Sequence, residues 1–422
     1  MKVTLTVIAG PNAGQTFTYD RRDRFLVGRS SKAQLCVSRD RYFSRHHFMV
    51  EVDPPNVFLL DLRSTNGTSV NDKKRKVHES FLADGDVIYG GDTALRVTVA
   101  GEAPRAFGAP PGAAPAALVP VTCDRCGALA PRERARGADE KVLYVCPACQ
   151  DALRETPKLP SGYRFVKTLG KGSMGSVVLA EDPAGRERAI KLVMPNAALS
   201  EAARERFLAD ARAQIGLDHP HIVRVHEIVG GEDGVFHVVM DAVEGRGLDE
   251  VLGEGGTMPV PEALAMARAV LEALGYAHAR GVVHRDLKPA NVLMGQGGPW
   301  VADFGLARSY EESGASGFHY GGEDDSTRYM APEQILDFRN VSPSADLYSV
   351  ATILHRAITG QHPLPFGPDE DPFIVVLEAA PAPLASRAPG VPPSLAAAVD
   401  RGLAKDPAAR FASAAEMLDA LS

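Results

Sequence analysis

Between Gly101 and Pro120 the chain is almost wholly Ala, Pro and Gly, with hardly a charge or a large apolar side chain. Such a stretch cannot bury enough surface to offset the entropy of ordering, so it reads as a linker. Whatever stands on either side must find its own core. At 422 residues the chain is too long for one core in any case, and two or three separately folding units are expected. A shorter connector, Glu155-Thr156-Pro157-Lys158-Leu159-Pro160, breaks the C-terminal part again. The units read from these breaks are 1–99, a linker at 100–120, a cysteine module at 121–150, a connector at 151–162 and a large unit at 163–422.

The first unit carries short β-type runs, Phe25-Leu26-Val27, Phe48 to Val52, Val57 to Leu60 and Leu95 to Val99, punctuated by turns such as Gly10-Pro11-Asn12 and Asp84-Gly85-Asp86. That pattern predicts an all-β sandwich. The last unit begins with strand-like segments (Tyr163 to Leu179, Arg188 to Val193, Val235 to Met240) and passes into helix-period stretches, Val260 to Arg280 and Ser344 to Thr359. A small β-rich lobe followed by a larger helical one is expected.

The composition, 45% hydrophobic and 23% charged, is that of ordinary globular protein. A formal net charge of −7 gives no overall attraction to nucleic acid or to an anionic membrane, so neither is an expected partner. Met1 to Ile8 alternates like a strand rather than reading as a signal peptide, and no apolar run approaches membrane-spanning length. Four of the five cysteines fall in two Cys-x-x-Cys pairs, which without an export signal points to metal binding. A reducing, cytoplasmic setting is the expectation.

Chemistry concentrates in the last unit. Gly170-Lys171-Gly172-Ser173-Met174-Gly175 sits between two strand-like runs, where glycines let backbone N–H groups approach phosphate oxygens. Alone, the triplet fits a dinucleotide-binding turn or a flexible hairpin equally well. A dinucleotide site requires a helix next, yet Ser176 to Ala180 continues as strand. The following strand ends Ala189-Ile190-Lys191, which brings an ammonium toward the same loop. Further on come His284-Arg285-Asp286-Leu287-Lys288-Pro289-Ala290-Asn291 and, twelve residues after Asn291, Asp303-Phe304-Gly305. Phosphoryl transfer needs a carboxylate near the acceptor hydroxyl and oxygen ligands for Mg²⁺, and these two segments supply both.

In this order and spacing the segments resemble the eukaryotic-like Ser/Thr protein kinases over essentially all of Tyr163 to Ser422. The resemblance implies a two-lobed α+β fold, ATP with Mg²⁺ (or Mn²⁺), and protein substrates. It implies Gly170, Gly172 and Gly175 over the phosphates, with Val177 and Ala189 on the nucleotide. Met240 would be the gatekeeper, with Asp241 to Val243 as hinge. Lys191 would hold the α- and β-phosphates and Asp286 would be the catalytic base. Lys288 would steady the transferring phosphoryl, and Asn291 and Asp303 would ligate the metal. Thr327, six residues before Glu333, would line the substrate loop. Asp346 and Arg410 match buried structural positions, Arg410 with Glu333.

Two positions depart from the family. The glutamate usual nine residues before His219-Pro220 is Asp210 here, one methylene short for an ion pair to Lys191. Ser326 replaces a common glycine before the substrate-loop threonine. Arg285 before Asp286 implies ordering by an activation-segment phosphate, for which Ser309, Tyr310, Ser313, Ser316, Tyr320 and Ser326 are the candidates.

In the first unit, Gly28-Arg29-Ser30, Ser44-Arg45-His46-His47 and Ser64-Thr65-Asn66-Gly67-Thr68 fall at strand ends or turns. Singly each is a turn signal, and together they suit gripping a phosphate and an extended peptide. They resemble the forkhead-associated (FHA) domain, which implies phosphothreonine-containing partners. The implied roles are Arg29 and Ser44 on the phosphate, Thr65 and Arg45 in support, Asn66 on the peptide backbone and His47 bracing the loops. Thr156 could, once phosphorylated, dock on such a domain in the same or a second chain; the plainer expectation is that Thr156 is only linker and separate phosphoproteins are recruited.

Cys123-x-x-Cys126 and Cys146-x-x-Cys149, 19 residues apart, match a closed four-thiolate structural Zn²⁺ site. The module resembles a zinc ribbon, with a redox dithiol as the other reading. Cys36 is expected as a small core residue. The sequence thus reads as a protein Ser/Thr kinase carrying a phosphothreonine reader. A catalytically feeble or pseudokinase scaffold, suggested by Asp210, is the alternative.

Overall fold

The computed structural model describes residues 2–19, 23–31, 33–53, 56–100, 118–122, 129–133, 142–143, 158–172, 175–193, 199–200, 208, 211–212, 214–230, 235–253, 255–304, 326–336, 340–367 and 370–422.

The N-terminal unit is a two-sheet sandwich. One sheet has the order Thr16–Tyr19, Lys2–Ala9, Thr93–Ala100, Val87–Gly90, Thr68–Val70, Lys76–Val77. The other runs Leu35–Cys36, Asp23–Gly28, Phe48–Asp53, Asn56–Asp61, Glu79–Phe81, antiparallel except for its first pair. Val3, Leu5 and Val7 alternate inward from the first sheet against Phe25, Val27, Phe48, Val50 and Leu59 of the second, all almost fully buried. Each such side chain contributes about 1.5–3 kcal/mol on burial. Cys36 is half-buried, its Sγ 3.7 Å from the Arg29 carbonyl.

Leu118–Thr122 pairs antiparallel with Leu129–Glu133, Thr122 opposite Leu129. Regular structure therefore resumes at Leu118, inside the stretch read as linker: Leu118 and Val119 are the apolar residues at its end that the Ala/Pro/Gly count overlooked. Val142–Leu143 pairs with Leu199–Ser200.

From Tyr163 the chain forms two lobes. The small lobe is an antiparallel sheet ordered Arg164–Gly172, Gly175–Glu181, Glu187–Val193, Phe236–Asp241, Val225–Gly230. Val178, Ala180, Ile190, Leu192 and Val239 pack on one face, and Ala189, Val193, Val225, Phe236, Val238 and Met240 on the other. The large lobe gathers around two helices, Val260–His278 and Ser344–Thr359, the first two residues shorter than its period predicts. Ser344–Thr359 is buried nearly all round and ends at Gly360 in the left-handed region (φ 71°), where a Cβ would lie 2.5 Å from the Gly255 carbonyl. A three-stranded ribbon of Gly245–Gly247, Val292–Gly295 and Gly298–Val301 floors the cleft between the lobes.

The two units touch. The outward face of the second sandwich sheet rests on the large lobe at helices Pro332–Leu336 and Pro372–Glu378.

Candidate active site and phosphate-reading loops

The cleft is organised around Asp346, buried near the start of helix Ser344–Thr359. Its carboxylate accepts from the backbone N–H of His284 (2.8 Å) and of Arg285 (2.9 Å) and pairs with His278 Nε2 (2.7 Å). Burial pushes its pKa up, but the His278 bond, the His278 and His284 charges and the Arg285 N–H prevail and hold it below the usual carboxylate range. These contacts hold Arg285 in the left-handed region (φ 68°), a conformation a non-glycine residue adopts only when its surroundings impose it. Gln334 Nε2 adds a bond to the Arg285 carbonyl at 2.7 Å.

The loop so fixed projects Asp286 and Lys288 into the cleft, with Lys288 Nζ 3.8 Å from Asp286 Oδ2. Asn291 Nδ2 donates to the Asp286 carbonyl (2.7 Å) and to Asp286 Oδ2 (3.3 Å), tying the two residues together. Asp303, also at positive φ (62°), enters from the end of the ribbon, and Lys191 Nζ from the small lobe meets its Oδ2 at 2.9 Å. Burial raises the Asp303 pKa, yet Lys191 with His284 and Lys288 brings it below the usual range, so the carboxylate is charged at neutral pH. His284 packs against Phe304 at 4.8 Å and reaches the Ala302 carbonyl at 2.9 Å.

Above this charged floor lies an apolar slot. Val177, Ala189, Met240 and Val243 belong to one cluster with Leu293. Asp241 beside them is held by Arg188 (2.8 Å) and His226 (2.6 Å). Gly170 and Gly172 lie in the first strand of the loop hairpin and Gly175 in the second, and a Cβ on Gly170 would meet nothing within 4 Å. Leu293 is absent from the residues picked out by sequence. Its signal is alternation in Val292-Leu293-Met294: Val292 faces the large-lobe core, so Leu293 faces the slot.

Ser326, read from the sequence as a departure from the family and as a candidate phosphorylation site, is the hydroxyl that meets Lys288 Nζ, while Thr327 follows it in the short helix Ser326–Tyr329. Arg410, fully buried, forms a two-pronged pair with Glu333, both contacts at 2.7 Å, as the sequence led us to expect. Asp210, Thr156, residues 305–325 with their candidate phosphorylation sites, and all four cysteines of the paired motifs lie outside the described residues. Among the described residues no group of three or more His, Cys, Asp or Glu is placed to hold a metal.

In the sandwich, the three loop motifs meet at one end. Arg29 N–H donates to the Ser44 carbonyl and Ser30 N–H to that of Arg45, both 2.9 Å. The approach demands glycine at 28, where a Cβ would stand 2.0 Å from the Arg45 carbonyl oxygen. Thr65 N–H donates to Ser44 Oγ (3.0 Å), and Asn66 Nδ2 donates to the Tyr42 carbonyl (2.7 Å). Arg29 Nε reaches the Phe43 carbonyl at 3.2 Å. Beneath them His47, buried, accepts at Nδ1 from Ser44 N–H (3.0 Å) and packs on Phe43 at 4.0 Å. Burial pushes its pKa down to about 4 despite the nearby Asp61, so the ring is neutral at pH 7.

The protein kinase domain family matches residues 163–420, well over half the chain, and the FHA domain family matches residues 25–91. Among curated proteins, the serine/threonine-protein kinase PknJ of Mycobacterium tuberculosis is 35% identical over 268 residues, covering 62% of this chain and 45% of PknJ. PknD of the same organism is 34% identical over 272 residues, 63% of this chain and 40% of PknD. The chain thus spans less than half the length of these relatives. The crystal structure of Rad53 1-466 in complex with AMP-PNP covers 99% of both chains at TM-score 0.51 and 19% identity, a likeness of fold. The two lobes, the loop fixed by Asp346 and the match across residues 163–420 together make this chain a member of the protein kinase family, with an FHA domain at its N-terminal end.

Proposed function

We propose that this protein transfers the γ-phosphoryl group of ATP to Ser or Thr of protein substrates, and that its FHA domain binds phosphothreonine partners. The observation that carries the reading is the meeting of Lys191, Asp286, Lys288, Asn291 and Asp303 in one cleft beneath an apolar slot. The residues fit the group the reaction requires. Val177, Ala189, Met240, Val243 and Leu293 supply an apolar lining suited to a purine, and the hinge at Asp241 is pinned by Arg188. The open space over Gly170 leaves room for phosphates.

Asn291 spends its Nδ2 on Asp286, which leaves its carbonyl oxygen, with the Asp303 carboxylate, as the hard oxygen pair suited to Mg²⁺ or Mn²⁺. When bound, the metal would neutralise charge on the phosphates. Lys191 orients the nucleotide and Lys288 adds positive charge at the transferring group. Asp286 accepts the proton of the substrate hydroxyl, its position kept by Asn291 and by the backbone that Asp346 fixes. Ser326, through Lys288, links the substrate loop to this machinery.

Arg29 and Ser44, with Thr65, Arg45 and Asn66, are read as the phosphopeptide grip. The four cysteines Cys123, Cys126, Cys146 and Cys149 are read as a structural Zn²⁺ site. Support comes from the chain order: the first pair falls between two antiparallel strands, the position of a metal-binding knuckle. Chelation followed by a colorimetric zinc assay should release one Zn²⁺ per chain, and none from a chain with Cys123 and Cys126 changed to Ser. Among the described residues no helix is long and apolar enough to cross a membrane. The cytoplasm is the proposed setting.

The decisive experiment is incubation with Mg²⁺ and labelled ATP beside an Asp286→Asn control, followed by mapping of labelled residues. Label that the control loses by a factor of about 10³ supports transfer by this cleft. Equal label in both, or none in either with nucleotide still bound, sinks the kinase reading in favour of a scaffold.

A further inference from the structure

The second sheet of the FHA sandwich is apolar on both faces. Phe25, Val27, Phe48, Val50 and Leu59 fill the sandwich core, while Leu26, Met49 and Leu60 point the other way. These three are register neighbours across adjacent strands, Leu26 opposite Met49 and Met49 opposite Leu60. With Ala33 and Leu62 they form a continuous apolar face, the kind of surface that needs a covering partner. The kinase large lobe covers it: Phe373, Val376 and Leu377 of helix Pro372–Glu378, with Ile335 and Leu364, join the same buried cluster. Gln34 stitches the contact, its Oε1 accepting from Leu26 N–H (2.8 Å) and its Nε2 donating to the Leu336 carbonyl (3.0 Å).

The last residue of that kinase helix reaches into the phosphate-reading loop. Glu378 Oε2 pairs with Arg45 and its Oε1 lies 2.9 Å from His46 Nδ1. We propose that Glu378 and a bound phosphothreonine compete for Arg45, so that phosphopeptide binding loosens the FHA domain from the kinase large lobe. The inference rests on the phosphothreonine reading above and adds a regulatory partner to it: the kinase domain of the same chain.

Three observations make the competition specific. The Arg45 backbone is clamped under Gly28 by the Ser30 N–H bond, so only its side chain is free to choose a partner, and that side chain is 68% exposed. Ser44, which precedes it, anchors Thr65, so a phosphate seated there is one residue along the chain from the Arg45 that Glu378 holds. A phosphothreonine carries a charge of about −1.5 to −2 at neutral pH, so it both takes the guanidinium and repels the acid that held it. Linkage is reciprocal: docking weakens peptide binding by the same factor that peptide binding weakens docking. The effect also reaches the substrate loop. Helix Pro372–Glu378 packs against helix Ser326–Tyr329, whose Ser326 holds Lys288 and whose Arg328 lies over Phe366 at 5.1 Å.

The test uses the full chain and a labelled nonapeptide pool with fixed central phosphothreonine, read by anisotropy. Glu378→Gln should tighten binding about fivefold, as expected for removing one competing ion pair. Met49→Asp, which breaks the apolar contact instead, should tighten it in the same direction. Hydrogen exchange in Pro372–Glu378 should quicken when wild-type protein is saturated with the pool. Wild type and Glu378→Gln binding equally, with exchange unchanged, would overturn the competition while leaving the reader intact. Failure of both to bind would remove the phosphothreonine reading and this inference with it, and Arg29→Ala supplies the non-binding reference.

Discussion

The reading loops at the end of the sandwich are fixed by hydrogen bonds without a countercharge, from Thr65 N–H to Ser44, from Asn66 to the Tyr42 carbonyl and from Ser64 and Thr68 to the Asp61 carboxylate, whereas the cleft is fixed by paired charges, Asp346 with His278, Lys191 with Asp303, and Arg410 with Glu333. The difference follows from what each site is asked to do. A reader needs loops shaped to a single ligand state and close to water, where hydrogen bonds without a paired countercharge suffice. A transfer site must hold two carboxylates and two ammonium groups within a few ångströms of one another, and buried charge tolerates no loss of its partner.

The sharpest way to break that contrast is at Arg410, whose side chain is fully buried against Glu333. Glu333→Ala leaves a buried guanidinium without its carboxylate, a loss of about 3–5 kcal/mol. For a domain of this size that lowers the kinase melting transition by roughly 10 °C. The FHA transition, followed by fluorescence of a dye placed in the sandwich, should move less, and only through the face it shares with helix Pro332–Leu336. A kinase transition within a degree of wild type would show that charge pairing does not hold the large lobe.

Acid should strike the sandwich through His47. Its folded pKa, about 4, lies below the ordinary 6.5, so the unfolded chain binds a proton before the folded one does. Stability contributed by the neutral ring is present above pH 6.5 and is lost as pH falls toward 4, about 2 kcal/mol by pH 5. Protonation also removes the Nδ1 acceptor that holds Ser44 N–H. Urea unfolding of the FHA domain at pH 7 and pH 5 reads the loss directly. A His47→Gln chain, lower in stability at pH 7, should lack the extra drop; an equal drop in both would assign the acid sensitivity elsewhere.

How much of this was legible beforehand depended on whether a residue's role is local. Lys191, Asp286, Asn291 and Asp303 stand at spacings readable along the chain, and so do the strands and helices around them. Leu293 was missed because an apolar residue in a strand gives the same signal whether it faces a core or a cleft. Ser326 was seen as a substitution, and its bond to Lys288 depends on a 38-residue return of the chain that no local pattern reveals. The doubly apolar strand runs Phe25-Leu26-Val27 and Phe48-Met49-Val50 were visible, but alternation says only that both faces are covered, not by what. The second covering is the kinase lobe, hundreds of residues away in sequence.

The smallest effect separates the two building styles most cleanly. Asn66 Nδ2 donates to the Tyr42 carbonyl at 2.7 Å from an exposed position, so one neutral bond ties two reading loops. Asn66→Asp keeps the shape but replaces the donor with a second acceptor, and about 1 kcal/mol of FHA stability should go with it. Differential scanning would place the FHA transition a few degrees lower and leave the kinase transition alone. An Asn66→Asp domain as stable as wild type would mean the loops are held by their backbone contacts under Gly28, with the side chain reserved for ligand. In that case its phosphopeptide affinity should still fall, and the reader would owe its shape to glycine packing rather than to the side-chain bonds that set it apart from the cleft.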